Sequence, residues 1–172
     1  MQHLLEQLLD RAYRFAVRMC GDRDTAEEVV QEAMLRAWRR RDDLRDDRKA
    51  AVWLLSIVAN VWRDRLRRRA ENESIDEARL LDSQPSVESS VVAREELRRA
   101  VRLMDQLPDR QRQVLYLHAC EDLSLAEIAE VLEISHSAVK SSLAVARKRM
   151  RQLHSQRETN NDEPEPCGRR DS

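Results

Sequence analysis

The sequence predicts an all-α chain, two small helical domains joined by a flexible acidic linker, and three observations lead there. Glycine occurs only at Gly21 and Gly168 in 172 residues and aromatics are 3% of the chain, so turns and strands have little to be built from. Pro85, Pro108, Pro164 and Pro166 all fall outside the periodic segments. Apolar residues recur at intervals of three and four in two blocks with a polar stretch between them, and each block of about 60 residues is near the lower size at which a domain folds alone. The expected boundaries are residues 1–70 for the first domain, 71–92 for the linker, 93–154 for the second domain and 155–172 for a disordered tail.

In the first helix Leu5, Leu8, Leu9, Ala12, Phe15, Ala16 and Met19 trace one stripe, which ends at Cys20-Gly21, with glycine in the position after the C-cap. Residues 22–24 read as a turn, and Asp24 or Thr25 as the cap of the next helix. Its stripe is Ala26, Val29, Val30, Ala33, Ala37 and Trp38, with Glu27 and Glu28 favoured in the first turn by the helix dipole. Arg39 to Arg48 breaks the apolar pattern and reads as a loop. A long helix follows, with Val52, Leu55, Ala59, Trp62 and Leu66 on one side and Arg67-Arg68-Arg69 at its end. Trp53 and Trp62 lie close to opposite faces, and core packing is the expected use of both.

Glu71 to Val92 loses periodicity and holds six acidic residues against the single Arg79, which reads as the flexible acidic linker. Leu97, Val101, Met104 and Leu107 form a helix stopped by Pro108, and Val114, Leu117 and Cys120 mark another. Two abutting amphipathic helices close the block. The first has apolar residues at 125, 128, 129 and 132, the second at 139, 143, 146 and 150. Only Glu133 and Ile134 separate them, and Ser135 is placed to cap the second. This is a helix-turn-helix signature, the geometry that sets one helix into a DNA major groove. The block closes at about Leu153.

The net charge of -1 conceals strong patterning. From Arg36 to Arg69 there are twelve Arg and Lys against five Asp, and from Ile134 to Arg157 six basic residues and no acidic one. Such runs face a polyanion; the bland reading is a solvated basic face on a helical hairpin. Cys20, Cys120 and Cys167 are odd in number and far apart, and no pattern of zinc spacing exists, so no metal, no cofactor and a reducing compartment are expected. There is no run of about 18 apolar residues and no signal-like leader, which predicts a cytoplasmic chain without membrane insertion. Ser137-Ala138-Val139-Lys140 fits the S-x-x-K of penicillin-interacting enzymes, but neither S-D-N nor K-T-G accompanies it. No active site is found, and an enzyme is not expected.

Three ordered strings resemble a known family. Asp24-Thr25-Ala26-Glu27-Glu28-Val29-Val30-Gln31-Glu32-Ala33-Met34-Leu35-Arg36-Ala37-Trp38 is similar to the D-A-E-D-L-V-Q-E-T-F-L-R-A-W core of bacterial sigma-70 factors of the minimal extracytoplasmic-function form, which retains regions 2 and 4. Trp53-Leu54-Leu55-Ser56-Ile57-Val58-Ala59-Asn60-Val61-Trp62-Arg63-Asp64-Arg65-Leu66-Arg67-Arg68 resembles its W-L-x-x-I-A-x-N-x-x-x-D-x-x-R-R. Leu107-Pro108 through Arg112, Val114 and Leu115 to Ala126-Glu127-Ile128-Ala129 and Val139-Lys140-Ser141 completes the order.

The resemblance implies that Asp24, Glu28, Gln31, Glu32 and Arg36 dock on core RNA polymerase. It implies that the loop from Arg39 and the helix from Trp53 capture the promoter's minus-ten element, with Asn60, Arg63, Arg67 and Arg68 as candidates; Asn60 could equally be a structural amide. It places Lys140, Ser141, Ala144 and Arg147 toward the minus-thirty-five element of promoter DNA, and it implies an anti-sigma factor as a partner. The chain departs from the family's V-K-S-R-L-x-R-A-R, with Ser142 and Val145 where two arginines would stand. The rival reading is a stand-alone helix-turn-helix regulator of duplex operators, with the first block used for dimerisation or sensing.

Overall fold

A computed structural model of the chain describes residues 2–72 and 99–161, with side chains over 8–71 and 99–155. The described residues are helical with short turns and contain no strand. The first block is α1 (Gln2–Cys20), α2 (Arg23–Arg39) and α3 (Ala50–Asn72). The second holds a helical stretch over residues 99–104, then α4 (Asp109–Ala119), α5 (Leu125–Leu132) and α6 (His136–Asn161). The acidic linker beyond residue 72 lies outside the described residues.

Several expectations are corrected. The cap of α2 is Asp22, whose carboxylate accepts from Thr25 N–H at 2.8 Å, so residues 23 and 24 are already helical. Asp22 wins because its extended backbone aims its side chain at the orphan donors three residues on. The basic loop contains two single 3-10 turns, Arg41–Asp43 and Asp47–Lys49, the second capped by Asp46. α6 runs on to Asn161, through the first residues of the expected tail; no glycine or proline interrupts that stretch, and residues 162–172 lie outside the described residues. Leu9, Trp38 and Leu66, assigned to buried stripes, are 42%, 47% and 42% exposed.

Other features agree. Gly21 takes φ 79° and closes α1 through its N–H to the Val17 carbonyl. A reciprocal capping box of Ser124 and Glu127, which the sequence reading missed, starts α5. Ser135 Oγ accepts from Ala138 N–H at 3.2 Å at the start of α6.

α3 is the central element. It packs against α1, α2 and α5, so apolar residues are needed on more than one face. Leu54, Ile57, Val58 and Val61 are buried along with Val52, Leu55 and Ala59. Trp53 and Trp62 are half-buried against the same core.

The two blocks share one continuous apolar core. Phe15 of α1 and Tyr116 of α4 stack with centroids 5.9 Å apart, within the range favoured for offset rings. Around this contact sit three charged ties. Arg11 Nε donates to Glu121 Oε2 at 2.6 Å, and Tyr116 Oη donates to the other oxygen at 3.1 Å. Burial, then the Glu121 carboxylate, push the Tyr116 phenol up. Arg18 pairs with Asp105 at 2.5 Å. Arg112, buried, donates to the Arg18 carbonyl at 3.0 Å, to the Asp105 carbonyl at 3.3 Å and to Asp109 Oδ1 at 2.6 Å. The Arg18 carbonyl is in the last turn of α1, so Arg112 satisfies an orphan acceptor and brings a cation to the negative end of that helix.

Candidate functional surfaces

The outward side of α2 is set by its buried one. Ala26, Val29, Val30, Ala33 and Ala37 are buried, and at 100° per residue the opposite side carries Asp24, Glu28, Gln31, Leu35 and Trp38. Asp24, Glu28 and Gln31 are exposed. Leu35 is 53% exposed, and Trp38 is exposed with the Arg41 guanidinium 5.2 Å from its ring centroid. The face is therefore an apolar pair rimmed by polar groups. Sequence reading missed Leu35 and placed Trp38 in the core. The signal was present in the spacing, because Trp38 stands one residue from Ala37 and so well away from the 26, 30, 33, 37 line.

Glu32 and Arg36 lie on the flank of α2 toward α3. Arg36 donates to Glu32 at 2.8 Å and to Asp64 of α3 at 3.0 Å, and Glu28 pairs with Arg65 at 2.5 Å. The hydrogen bond from Arg36 holds the Asp64 carboxyl below the usual carboxylate range. Glu28, Glu32, Arg36 and Arg65 line a cleft of roughly 730 Å³ between α2 and α3, with Thr25, Leu66 and Arg68 on its walls. Two groups that the sequence assigned to separate tasks thus border one cleft.

The candidates on α3 divide. Arg67 and Arg68 are exposed near its C-terminal end, Arg67 pairing loosely with Asp64 at 3.1 Å. Asn60 and Arg63 are engaged. Arg63 donates to the Asn60 side-chain oxygen and, at 2.8 Å, to Glu133 in the turn of the helix-turn-helix. These two neighbours, Arg63 first, hold the Glu133 carboxyl below its ordinary value. In this arrangement the turn between α5 and α6 covers the part of α3 that carries Asn60 and Arg63.

α5 and α6 form the expected hairpin. Glu133 ends α5 in the left-handed region, φ 51°, and Ile134 N–H reaches back to the Ala129 carbonyl at 3.1 Å. Ile128, Val131 and Leu132 of α5 are buried. Val131 was not in the expected stripe; it is enclosed because α5 packs on α3 as well as on α4 and α6. α6 packs through Val139, Leu143 and Ala146. Lys140, Ser141, Ala144 and Arg147 are exposed on it. Among the described residues no His, Cys, Asp and Glu group is arranged for a metal ion. His118 Nδ1 instead meets the Leu123 carbonyl at 3.1 Å. No described helix is long and apolar enough to cross a membrane.

Comparisons with known proteins agree with this layout. The Sigma-70 region 2 model matches residues 4–72 and the Sigma-70 region 4 model residues 97–150. The chain is 31% identical over 153 residues to the ECF RNA polymerase sigma factor SigW of Bacillus subtilis, covering 83% of this chain and 82% of that one. It is 32% identical over 142 residues to EcfG of Rhodopseudomonas palustris, covering 81% and 76%. Among solved structures, CnrH in complex with the cytosolic domain of CnrY superposes with TM-score 0.60 at 28% identity, covering 91% of this chain and 90% of that one. RpoE of Bartonella quintana, solved with the anti-sigma factor NepR, gives 0.69 at 22% identity over 90% and 95% of the two chains, a likeness of fold. Two region models in the expected order and relatives above 30% identity over more than three quarters of both chains lead to one conclusion: the chain belongs to the sigma-70 family, as an extracytoplasmic-function RNA polymerase sigma factor.

Proposed function

We propose that this sigma factor docks on core RNA polymerase through the outward face of α2 and reads a two-part promoter with α3 and α6. The observation that carries the docking assignment is the pair of exposed apolar side chains, Leu35 and Trp38, beside Asp24, Glu28 and Gln31. A large aromatic in a polar rim is the composition of an interface hot spot. Glu32 and Arg36 extend the face toward the cleft. A stand-alone regulator of duplex operators has no use for such a face.

Arg67 and Arg68, exposed and cationic, suit phosphate contacts to a melted minus-ten strand. Asn60 and Arg63 join them once the turn at Glu133 has moved away. Lys140, Ser141, Ala144 and Arg147 face the minus-thirty-five element. Bond-making stays with the polymerase, and the protein acts beside it in the cytoplasm as an initiation factor, not a catalyst. An anti-sigma factor is the expected inhibitor. It gains by holding two tethered domains at once, because the second contact is intramolecular; the Bartonella RpoE was solved with the anti-sigma factor NepR, and CnrH with the cytosolic domain of CnrY.

Run-off transcription with purified core polymerase tests this reading. Initiation at discrete promoters that depends on the protein is expected, and the free protein alone binds the same DNA weakly. Tight, sequence-specific binding by the free protein with no effect on transcription would favour the stand-alone regulator.

A further inference from the structure

The outward face of α6 presents an apolar side chain that packing does not explain. Val139, Leu143 and Ala146 point into the core, so the opposite side of the helix carries Ser137, Ser141, Ala144 and Lys148, with Val145 about 60° around from Lys148 on the side away from Lys140 and Arg147. Val145 is 49% exposed, and Ser141 and Ala144 beside it are exposed as well. The basic residues Lys140 and Arg147 stand together along one flank, about 20° apart around the axis. Ser141 and Ala144 on this face are small and uncharged, and exposed Lys148 follows them one turn further along.

An exposed valine has one partner of its own chemistry in the major groove, the C5-methyl group of thymine. Set against a guanine edge, it would strip water from two acceptors and offer no donor in return. We propose that Val145 is a specificity-determining residue of the upstream-element contact and that it reads a thymine methyl group, with Ala144 completing the apolar surface. The proposal rests on α6 being the recognition helix. Val145 reads the methyl group with a branched side chain, while Lys140, Arg147 and Lys148 supply the charge around it.

The test uses the full chain with core polymerase and a promoter pool randomised across the upstream element, sequencing the templates that yield transcript. One position is expected to select thymine. Replacing that thymine with deoxyuridine, which lacks only the methyl group, lowers initiation about fourfold, the worth of one buried methyl. Val145→Ala removes both the selection and the deoxyuridine effect and leaves the other positions unchanged. Val145→Arg, tolerated by an exposed site, moves the preference there to guanine. Equal initiation from thymine and deoxyuridine templates, or a Val145→Ala variant that keeps the native selection, overturns the proposal. A pool that yields no transcript at all overturns the reading of the chain as an initiation factor, and this inference with it.

Discussion

Glu133 shows how one residue serves two levels of the structure. It ends α5 in the left-handed region, which costs a residue with a Cβ about 1 to 2 kcal/mol. Its carboxylate accepts from Arg63 across the two blocks, with the pair 39% and 56% exposed, a setting worth less than about 1 kcal/mol. Glu133→Gly therefore relieves the backbone and gives up the pair, and the stability of the second block by urea denaturation is expected to stay within about 1 kcal/mol. Glu133→Val, branched at Cβ, loses both and costs about 2 kcal/mol in the same measurement. The carboxyl is held low in the folded state, so its contribution is present above the ordinary glutamate range and is lost as pH falls through the depressed value. Arg63→Ala returns the Glu133 titration, followed by carbon-detected NMR, to the ordinary range; an unmoved midpoint removes Arg63 as the cause.

At the scale of elements, α2 and α5 make contrasting predictions. Glu28 and Glu32 are both more than a third exposed and pair with Arg65 and Arg36, so reversing both charges costs little stability while weakening capture of core polymerase. Trp38→Ala removes an exposed anchor and is expected to weaken that binding by about 2 kcal/mol, roughly thirtyfold, with the helical content by circular dichroism unchanged. Retained affinity in both variants would move the docking face off α2. On α5 the effect is the reverse. Ser124 accepts from Glu127 N–H and donates to its carboxylate, and Ser124→Ala costs the fold about 1 kcal/mol while leaving polymerase capture alone.

The whole molecule is held closed by charge around an apolar contact. Glu121 is 2% exposed in its side chain, and its carboxylate accepts from Arg11 and from Tyr116. Removing Arg11 leaves a buried charge short of a partner, which is strongly unfavourable in place. The blocks can relieve it by parting, so that Glu121 meets water. Arg11→Ala together with Arg18→Ala is therefore expected to raise the radius of gyration in X-ray scattering, keep the helicity of each block, and increase cross-linking of single-stranded minus-ten DNA to α3 near Asn60 and Arg63. An unchanged radius of gyration would show that the Phe15–Tyr116 stack and the shared apolar core suffice to hold the blocks together.

The sequence by itself determined the helices, their order, the turn of the helix-turn-helix and the cap at Ser135, because spacing by three and four and local side-chain chemistry act within a few residues. It also determined the family, through three strings in order. Only the tertiary structure decided that Trp38 faces outward beside Leu35, that α3 is enclosed by α1, α2 and α5, and that Arg112 binds the end of α1. It alone decided that Asn60 and Arg63 meet Glu133, some seventy residues further along. These are contacts between distant segments, and a single stripe on one helix cannot register a second neighbour packed on its other side. Burial and pairing depend on which surfaces meet, which local periodicity does not encode.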